Sequence, residues 1–211
     1  MVNSHIWYAC YGSNIRKARF LCYIQGGTPS GAVKFFEGCK DKSEPVESRP
    51  FLIDRELYFA KESIAWNGGG IGFLKPKKES KFPTYGRIYK ITLGQFKDLL
   101  RQELRVKDNI QVDFNRLECD GFFNCLPGGR YGHLLHLGEI DDLPVISFSS
   151  EAFLQDEINP PAKAYLSTII KGIKEVYDIK EDELFEYFNK LDGIHGTSIA
   201  EDLPQLVKEP L

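Results

Sequence analysis

No stretch of this sequence is apolar for long enough to cross a bilayer, and no basic start followed by a long apolar run opens the chain. A membrane-spanning helix needs about 20 predominantly apolar residues, and a secretory signal needs a basic segment followed by an apolar one. We therefore expect a protein that does not span a membrane and carries no secretory signal.

The arrangement of the cysteines argues against two kinds of structural site. The five cysteines are odd in number, scattered, and never spaced as CxxC, so neither a disulfide framework nor a zinc site is indicated. His133 and His136 lie in a strand-like segment, where an odd separation directs side chains to opposite faces. We expect no metal site and a reduced, cytoplasmic setting.

An excess of positive charge is also missing, since the formal net charge is -3. This balance argues against a general nucleic-acid binder or a protein that binds anionic membranes. The lysines between 75 and 81 are interrupted by Glu79 and indicate a solvated loop. The 211 residues suffice for a real core, and we expect a single domain over residues 1–211, with a helical C-terminal part at about 160–195.

The most informative segment is Ile6–Ile15, where an aromatic and small apolar run stops abruptly at Gly12-Ser13-Asn14. A strand that breaks at glycine and continues as a helix leaves backbone N–H groups without helical partners. Gly12 permits a sharp turn and close ligand approach, and Ser13 and Asn14 are good N-cap residues. The loop is either a cradle for a carboxylate or an oxyanion, or a capped strand-to-helix turn with no ligand.

Residue patterns along the rest of the chain predict alternating strands and helices. Helices are expected at 15–25, 93–104 (with Thr92 as N-cap), 162–177 and 181–191, and strands at 51–53 and 57–60 (across a turn), 84–91, 110–114, 131–137 and 145–148. The glycines at 68–70 suggest a flexible loop, and the tail from Gly196 an irregular one.

Glu103 stands out because of its place on the predicted helix at 93–104. At about 100° per residue, with Leu93 at zero, Glu103 falls at about 280°, within the apolar stripe of Phe96, Leu99 and Leu100. Lys97, Asp98, Arg101 and Gln102 fall on the other side. A carboxylate on a buried face needs either a partner or a raised pKa, and a raised pKa suits a general acid or base. The alternative is that Glu103 lies near a fraying helix end and reaches water.

A family resemblance connects the loop with this glutamate. Tyr11-Gly12-Ser13-Asn14-Ile15 resembles the YGSN[LM] signature of the gamma-glutamylcyclotransferase-like superfamily. Gly86-Arg87-Ile88-Tyr89-Lys90-Ile91 resembles its G-x-x-Y-x-[IL] strand, which is followed by an amphipathic helix and the catalytic glutamate. Residues 131–138 resemble a later strand of the family. One departure is that Leu104 follows Glu103, where the family usually has glycine.

The resemblance implies a mixed α/β (α+β) domain whose strands curl into a small barrel-like sheet flanked by helices. It also implies cyclisation of the gamma-glutamyl group of a small amide or peptide to 5-oxoproline, without a cofactor. Glu103 would be the catalytic acid/base, and the loop Tyr11, Gly12, Ser13, Asn14 and Ile15, with Tyr131, would bind the substrate. The alternative is a non-catalytic binder of a small molecule or peptide on the same scaffold. The sequence does not indicate the leaving amine or the oligomeric state.

Overall fold

The computed structural model describes residues 4–30, 35–76, 82–107 and 110–211. In these residues the strands are β1 His5–Cys10, β2 Glu47–Ile53, β3 Leu57–Ala60, β4 Ile71–Leu74, β5 Thr84–Thr92, β6 Phe122–Asn124, β7 His133–Ile140 and β8 Leu143–Ser149. The α-helices are α1 Lys17–Gln25, α2 Leu93–Leu104, α3 Phe114–Asp120, α4 Lys163–Lys174, α5 Glu181–Phe188 and α6 Ser198–Leu206.

Six of the strands form one mixed sheet in the order β2-β5-β1-β8-β7-β6. Strand β1 runs parallel to β8, with Trp7 opposite Val145, whereas β7 is antiparallel to both β8 and β6. Strands β3 and β4 form a separate antiparallel pair. A mixed sheet accompanied by helices confirms the expected α+β class.

The chain divides into two compact units, and the segments that form them alternate along the sequence. The first comprises Met1–Cys10, Ala18–Phe51 and Ile88–Glu151, and the second comprises Tyr11–Lys17, Leu52–Arg87 and Ala152–Leu211. The expectation of a single domain over residues 1–211 stays a prediction.

The core of the first unit is aromatic and lies on β1. The Tyr8 ring stacks on Phe20 of α1 at 5.6 Å and on Phe148 of β8 at 5.4 Å, and Phe20 stacks on Tyr89 at 4.0 Å. Residues Ile6 to Cys10 are all buried. Burial on both faces explains why this strand lacks polar alternation in the sequence.

Helix α2 of the first unit begins at a complete capping box. The Thr92 hydroxyl accepts a hydrogen bond from the Gln95 N–H at 3.1 Å, and the Gln95 side chain accepts one from the Thr92 N–H at 3.0 Å. These two bonds satisfy N–H groups that a helix start otherwise leaves without partners. The predicted start of the helix that carries Glu103 is confirmed.

Thr92→Ala should therefore destabilise the protein by about 0.5–2 kcal/mol, because it removes the acceptor for the Gln95 N–H. Thr92→Ser, which keeps a hydroxyl at the same position, is the matched control and should lose much less. Chemical denaturation of both variants measures the difference in the free energy of unfolding. Equal losses in the two variants would contradict a role for the hydroxyl as the cap.

The core of the second unit lies around α4. Its buried residues Leu166, Ile169, Ile170 and Ile173 recur at helical spacing, as the sequence predicted. The glycine-rich loop packs against the start of this helix, since a Cβ on Gly69 would lie 2.4 Å from the Ala162 nitrogen and one on Gly70 2.0 Å from the Asn159 carbonyl oxygen. Gly69 and Gly70 allow this close backbone packing, and the expected flexibility of the loop stays a prediction.

Two expectations about elements are wrong. The tail predicted to be irregular contains α6, with Pro204 inside it, and the segment predicted as a strand at 110–114 leads instead into α3. By contrast, the two strands expected on either side of the turn at Asp54–Glu56 are present, since β2 ends at Ile53 and β3 begins at Leu57, and they belong to different sheets. Most of the lysine-containing loop at 75–81 lies outside the described residues. No helix in the described part of the chain has the length and apolar character to span a membrane.

Candidate functional site

The loop that follows β1 forms a tight 3-10 turn in the second unit. Ser13–Ile15 is the turn, the Ile15 N–H donates to the Gly12 carbonyl at 3.0 Å, and the Arg16 N–H donates to the Ser13 carbonyl at 3.3 Å. Tyr11, Asn14 and Ile15 are buried, whereas Gly12 and Ser13 are partly exposed. The amide of Ile15 is thus engaged inside the turn, and Gly12 and Ser13 are the partly exposed residues of the loop.

The α-helix begins later than the sequence predicted. Helix α1 starts at Lys17, and its first N–H donates to the Glu175 carboxylate at 3.0 Å. Ser13 and Asn14 are residues of the 3-10 turn, Gly12 occupies the cap position, and no side chain caps the turn. The expectation that Ser13 or Asn14 caps an α-helix from Ile15 is wrong, because the chain's own carboxylate occupies the helix N-terminus.

Gly12 is required by the packing of Tyr165 from α4. A Cβ added to Gly12 would lie 2.9 Å from the Tyr165 hydroxyl oxygen, closer than such atoms normally approach. The same hydroxyl accepts a hydrogen bond from the Gly72 N–H of β4 at 3.1 Å. Tyr165 therefore links the loop to the β3–β4 pair inside the second unit.

An aromatic cluster fixes the Tyr165 side chain, which is buried. Its ring lies 4.9 Å from that of Trp66 and 6.2 Å from that of Phe59, centroid to centroid. The sequence pattern identified Tyr165 only as one of the apolar positions of the helix at 162–177. Its contact with Gly12 spans residues distant in sequence and carries no local signal.

Glu103 lies in the last turn of α2 in the first unit. It is half-buried, and the helix ends directly after it because Arg105 adopts a left-handed conformation with φ 55°. The apolar residues Phe96, Leu99 and Leu100 are fully buried, as the wheel predicted. The partial exposure of Glu103 is consistent with both interpretations of the sequence, because the residue lies on the apolar side of α2 and also near the helix end.

The more deeply buried carboxylate of α2 is Asp98, which the wheel placed on the polar side. Asp98 accepts a hydrogen bond from the Lys40 N–H at 2.8 Å, and only 8% of it is exposed. Burial, and after it the charge of Asp98, raises the pKa of the nearby Cys39 thiol to about 12. Asp98 has a structural partner, so its burial indicates support of the segment around Lys40.

Tyr131 precedes β7 in the first unit and is also half-buried. Its ring lies 5.5 Å from that of Phe148. The structure places Tyr11 to Ile15 in the second unit and Glu103 and Tyr131 in the first, and a shared substrate site for the two sets stays a prediction. Across the described ranges, no group of three or more His, Cys, Asp or Glu residues is arranged to hold a metal ion.

No family model matches the chain, whereas a curated protein is similar to it in sequence and solved structures are similar to it in fold. The chain is 36% identical over 200 residues to a protein named Histone deacetylase 5 from Arabidopsis thaliana, in an alignment that covers 88% of this chain and 30% of that protein. The chain thus spans less than a third of the length of this curated relative.

Similar solved structures cover nearly the whole chain at low identity. A crystal structure of an uncharacterized human protein has a TM-score of 0.52 and 16% identity, and the match covers 96% of this chain and 99% of that one. A gamma-glutamyl cyclotransferase follows at 0.49 and 17%, covering 95% and 98%. A yeast enzyme of that type, specific to glutathione, follows at 0.40 and 13%, covering 97% and 96%. The likeness to the human protein, at 16% identity, shows a shared fold and nothing further.

Proposed function

For a chain with a gamma-glutamylcyclotransferase-like fold, we propose the cyclisation of the gamma-glutamyl group of a small amide or peptide to 5-oxoproline. The observation that carries this proposal is the tight turn after β1, in which Gly12 is held against the Tyr165 hydroxyl. Gly12 and Ser13 are partly exposed, which supports the proposal because a substrate carbonyl or carboxylate must reach main-chain amides of this turn. This loop is also the segment Tyr11–Ile15 that resembles the family's YGSN[LM] signature.

In the proposed mechanism, the amides of Gly12, Ser13 and Asn14 hold the glutamyl group. Glu103 takes a proton from the substrate's alpha-amine, whose nitrogen then attacks the gamma-carbonyl carbon. The bond from that carbon to the leaving nitrogen breaks, and Glu103 returns the proton to the leaving amine. Both reacting groups belong to one molecule, so positioning supplies much of the rate and no cofactor takes part.

The proposal assigns Tyr11 and Tyr131 to substrate contacts through their hydroxyl groups, and Ile15 to support of the turn, where its buried side chain lies. It requires the Glu103 carboxylate to reach the gamma-glutamyl amine. The partial exposure of Glu103 supports this role, because a proton-transfer group must be accessible to the substrate. A cytoplasmic setting remains part of the proposal.

A second candidate function is a non-catalytic binding module on the same scaffold. It is favoured by Leu104, which stands where the family usually has glycine, and by the long curated relative, of which this chain matches only 30%. In this case the chain would act as one part of a longer protein and hold a small molecule or peptide at the loop. Glu103 would then have no chemical role.

Incubation with a panel of gamma-glutamyl amides and peptides, followed by measurement of 5-oxoproline, distinguishes the two functions. The enzyme proposal predicts 5-oxoproline release from at least one member, with the free amine formed in equal amount. Calorimetry with the same panel provides the second readout. Binding of a panel member without turnover of any would overturn the enzyme proposal in favour of the binding module.

A further inference from the structure

We infer that Arg87 and Glu175 are positioning residues that hold the Ser13–Ile15 turn in the conformation the substrate needs. Both residues and the turn belong to the second unit. This inference rests on the proposed function, and it concerns a pair of side chains that neither the sequence motifs nor the loop itself identifies.

The pair holds the turn on both sides of Arg16. The Arg87 guanidinium donates to the Ile15 carbonyl at 3.2 Å, and the Glu175 carboxylate accepts from the Lys17 N–H at 3.0 Å. The guanidinium also donates to that carboxylate at 3.1 Å. One ion pair therefore bonds the last carbonyl of the turn and the first amide of α1, and fixes the direction in which the chain leaves the turn.

Burial makes this pair more than a surface contact. The Arg87 side chain is 8% exposed and that of Glu175 25%, whereas the median surface ion pair contributes little because solvent screens it. Arg16 adds a third, longer contact, 3.6 Å from the Glu175 carboxylate. A buried charge that loses its partner is strongly unfavourable, so each member of the pair constrains the other.

The position of Glu175 in α4 also indicates that its carboxylate stabilises the turn rather than its own helix. Glu175 is the C-cap residue of α4, where the helix dipole disfavours a negative charge. Gly172, three residues earlier, allows the helix to approach the turn closely, since a Cβ there would lie 2.6 Å from the Arg16 nitrogen. The charge is unfavourable for α4 and favourable for the N-terminus of α1, to which its carboxylate is bonded.

Glu175→Gln tests the inference, because the amide keeps an acceptor oxygen but loses the charge that pairs with Arg87. We expect hydrogen exchange of the amides from Ser13 to Lys17 to accelerate at least about tenfold, as expected when a charged hydrogen bond is weakened. Amides in the middle of α4 should exchange at the original rate. On a substrate from the panel, KM should rise about tenfold while kcat stays within about threefold, since Glu103 is intact.

Asp202→Asn is the matched control, since it removes a carboxylate that pairs with Lys163 of the same helix at 2.7 Å and leaves the turn alone. It should change neither the exchange of the turn nor KM. Unchanged exchange in Glu175→Gln, equal acceleration throughout α4, or faster exchange with unchanged KM would each overturn the inference. If the wild-type protein releases no 5-oxoproline, exchange alone decides whether the pair holds the turn, so failure of the proposed function is distinguishable.

Discussion

Glu103→Gln is expected to leave the protein folded and to lower 5-oxoproline release by about 10²–10⁴-fold, the usual contribution of a positioned general acid or base. The amide has nearly the shape of the carboxylate but cannot accept the proton of the alpha-amine. Glu103 is half-buried at the end of α2, so the exchange should disturb little packing. Initial rates on the best substrate of the panel, with thermal unfolding in parallel, measure both expectations.

The matched control for this variant is Glu118→Gln, the same substitution at an exposed position of α3 in the same unit. It should retain wild-type rates. Equal 5-oxoproline release from the Glu103→Gln variant and the wild-type protein would remove Glu103 from the mechanism. A large fall in thermal stability in Glu103→Gln would show instead that the carboxylate has a structural role at the end of α2.

Segments whose own pattern determines their structure were predicted well. The buried run from Ile6 to Cys10 is β1, Thr92 caps α2, and the apolar spacing at 162–177 gives α4. Helix α6 was missed because Pro204 and polar residues conceal a short amphipathic pattern that packing on α4 stabilises. The β3–β4 pair was missed because strand pairing depends on contacts between residues distant in sequence.

The candidate site shows the same division. The helical wheel describes one helix in isolation, and it could not show that the Lys40 backbone bonds Asp98 on the other flank of α2. The Glu175 carboxylate at the start of α1 and the Tyr165 hydroxyl at Gly12 are likewise contacts across more than 150 residues. The loop was recognisable from its residues, whereas the groups that hold it were not.

Gly12→Ala should destabilise the protein by about 1–3 kcal/mol, the usual cost of an extra methyl group in a packed region. The new Cβ would lie 2.9 Å from the Tyr165 hydroxyl oxygen, which its bond to the Gly72 N–H holds in place. A displacement of the loop by about 1 Å would also lower 5-oxoproline release about 100-fold. Denaturant unfolding and initial rates measure the two losses.

The matched control is Gly94→Ala at the start of α2, where the nearest atom to a new Cβ is the Thr92 hydroxyl oxygen at 3.7 Å. Alanine there has room and the higher helix propensity, so the variant should be as stable as the wild type or gain up to about 1 kcal/mol. If Gly12→Ala were tolerated as well as Gly94→Ala, the close contact with Tyr165 would be refuted.

A double variant identifies Tyr165 as the cause of this expected loss. Tyr165→Phe alone leaves the buried Gly72 N–H without its acceptor and should cost about 1–3 kcal/mol. It also removes the atom that collides with the new methyl group, since the next ring carbon lies 4.0 Å away. The loss in Gly12→Ala/Tyr165→Phe should therefore be smaller than the sum of the two single losses. Strictly additive losses would show that the methyl group is excluded by something other than the Tyr165 hydroxyl.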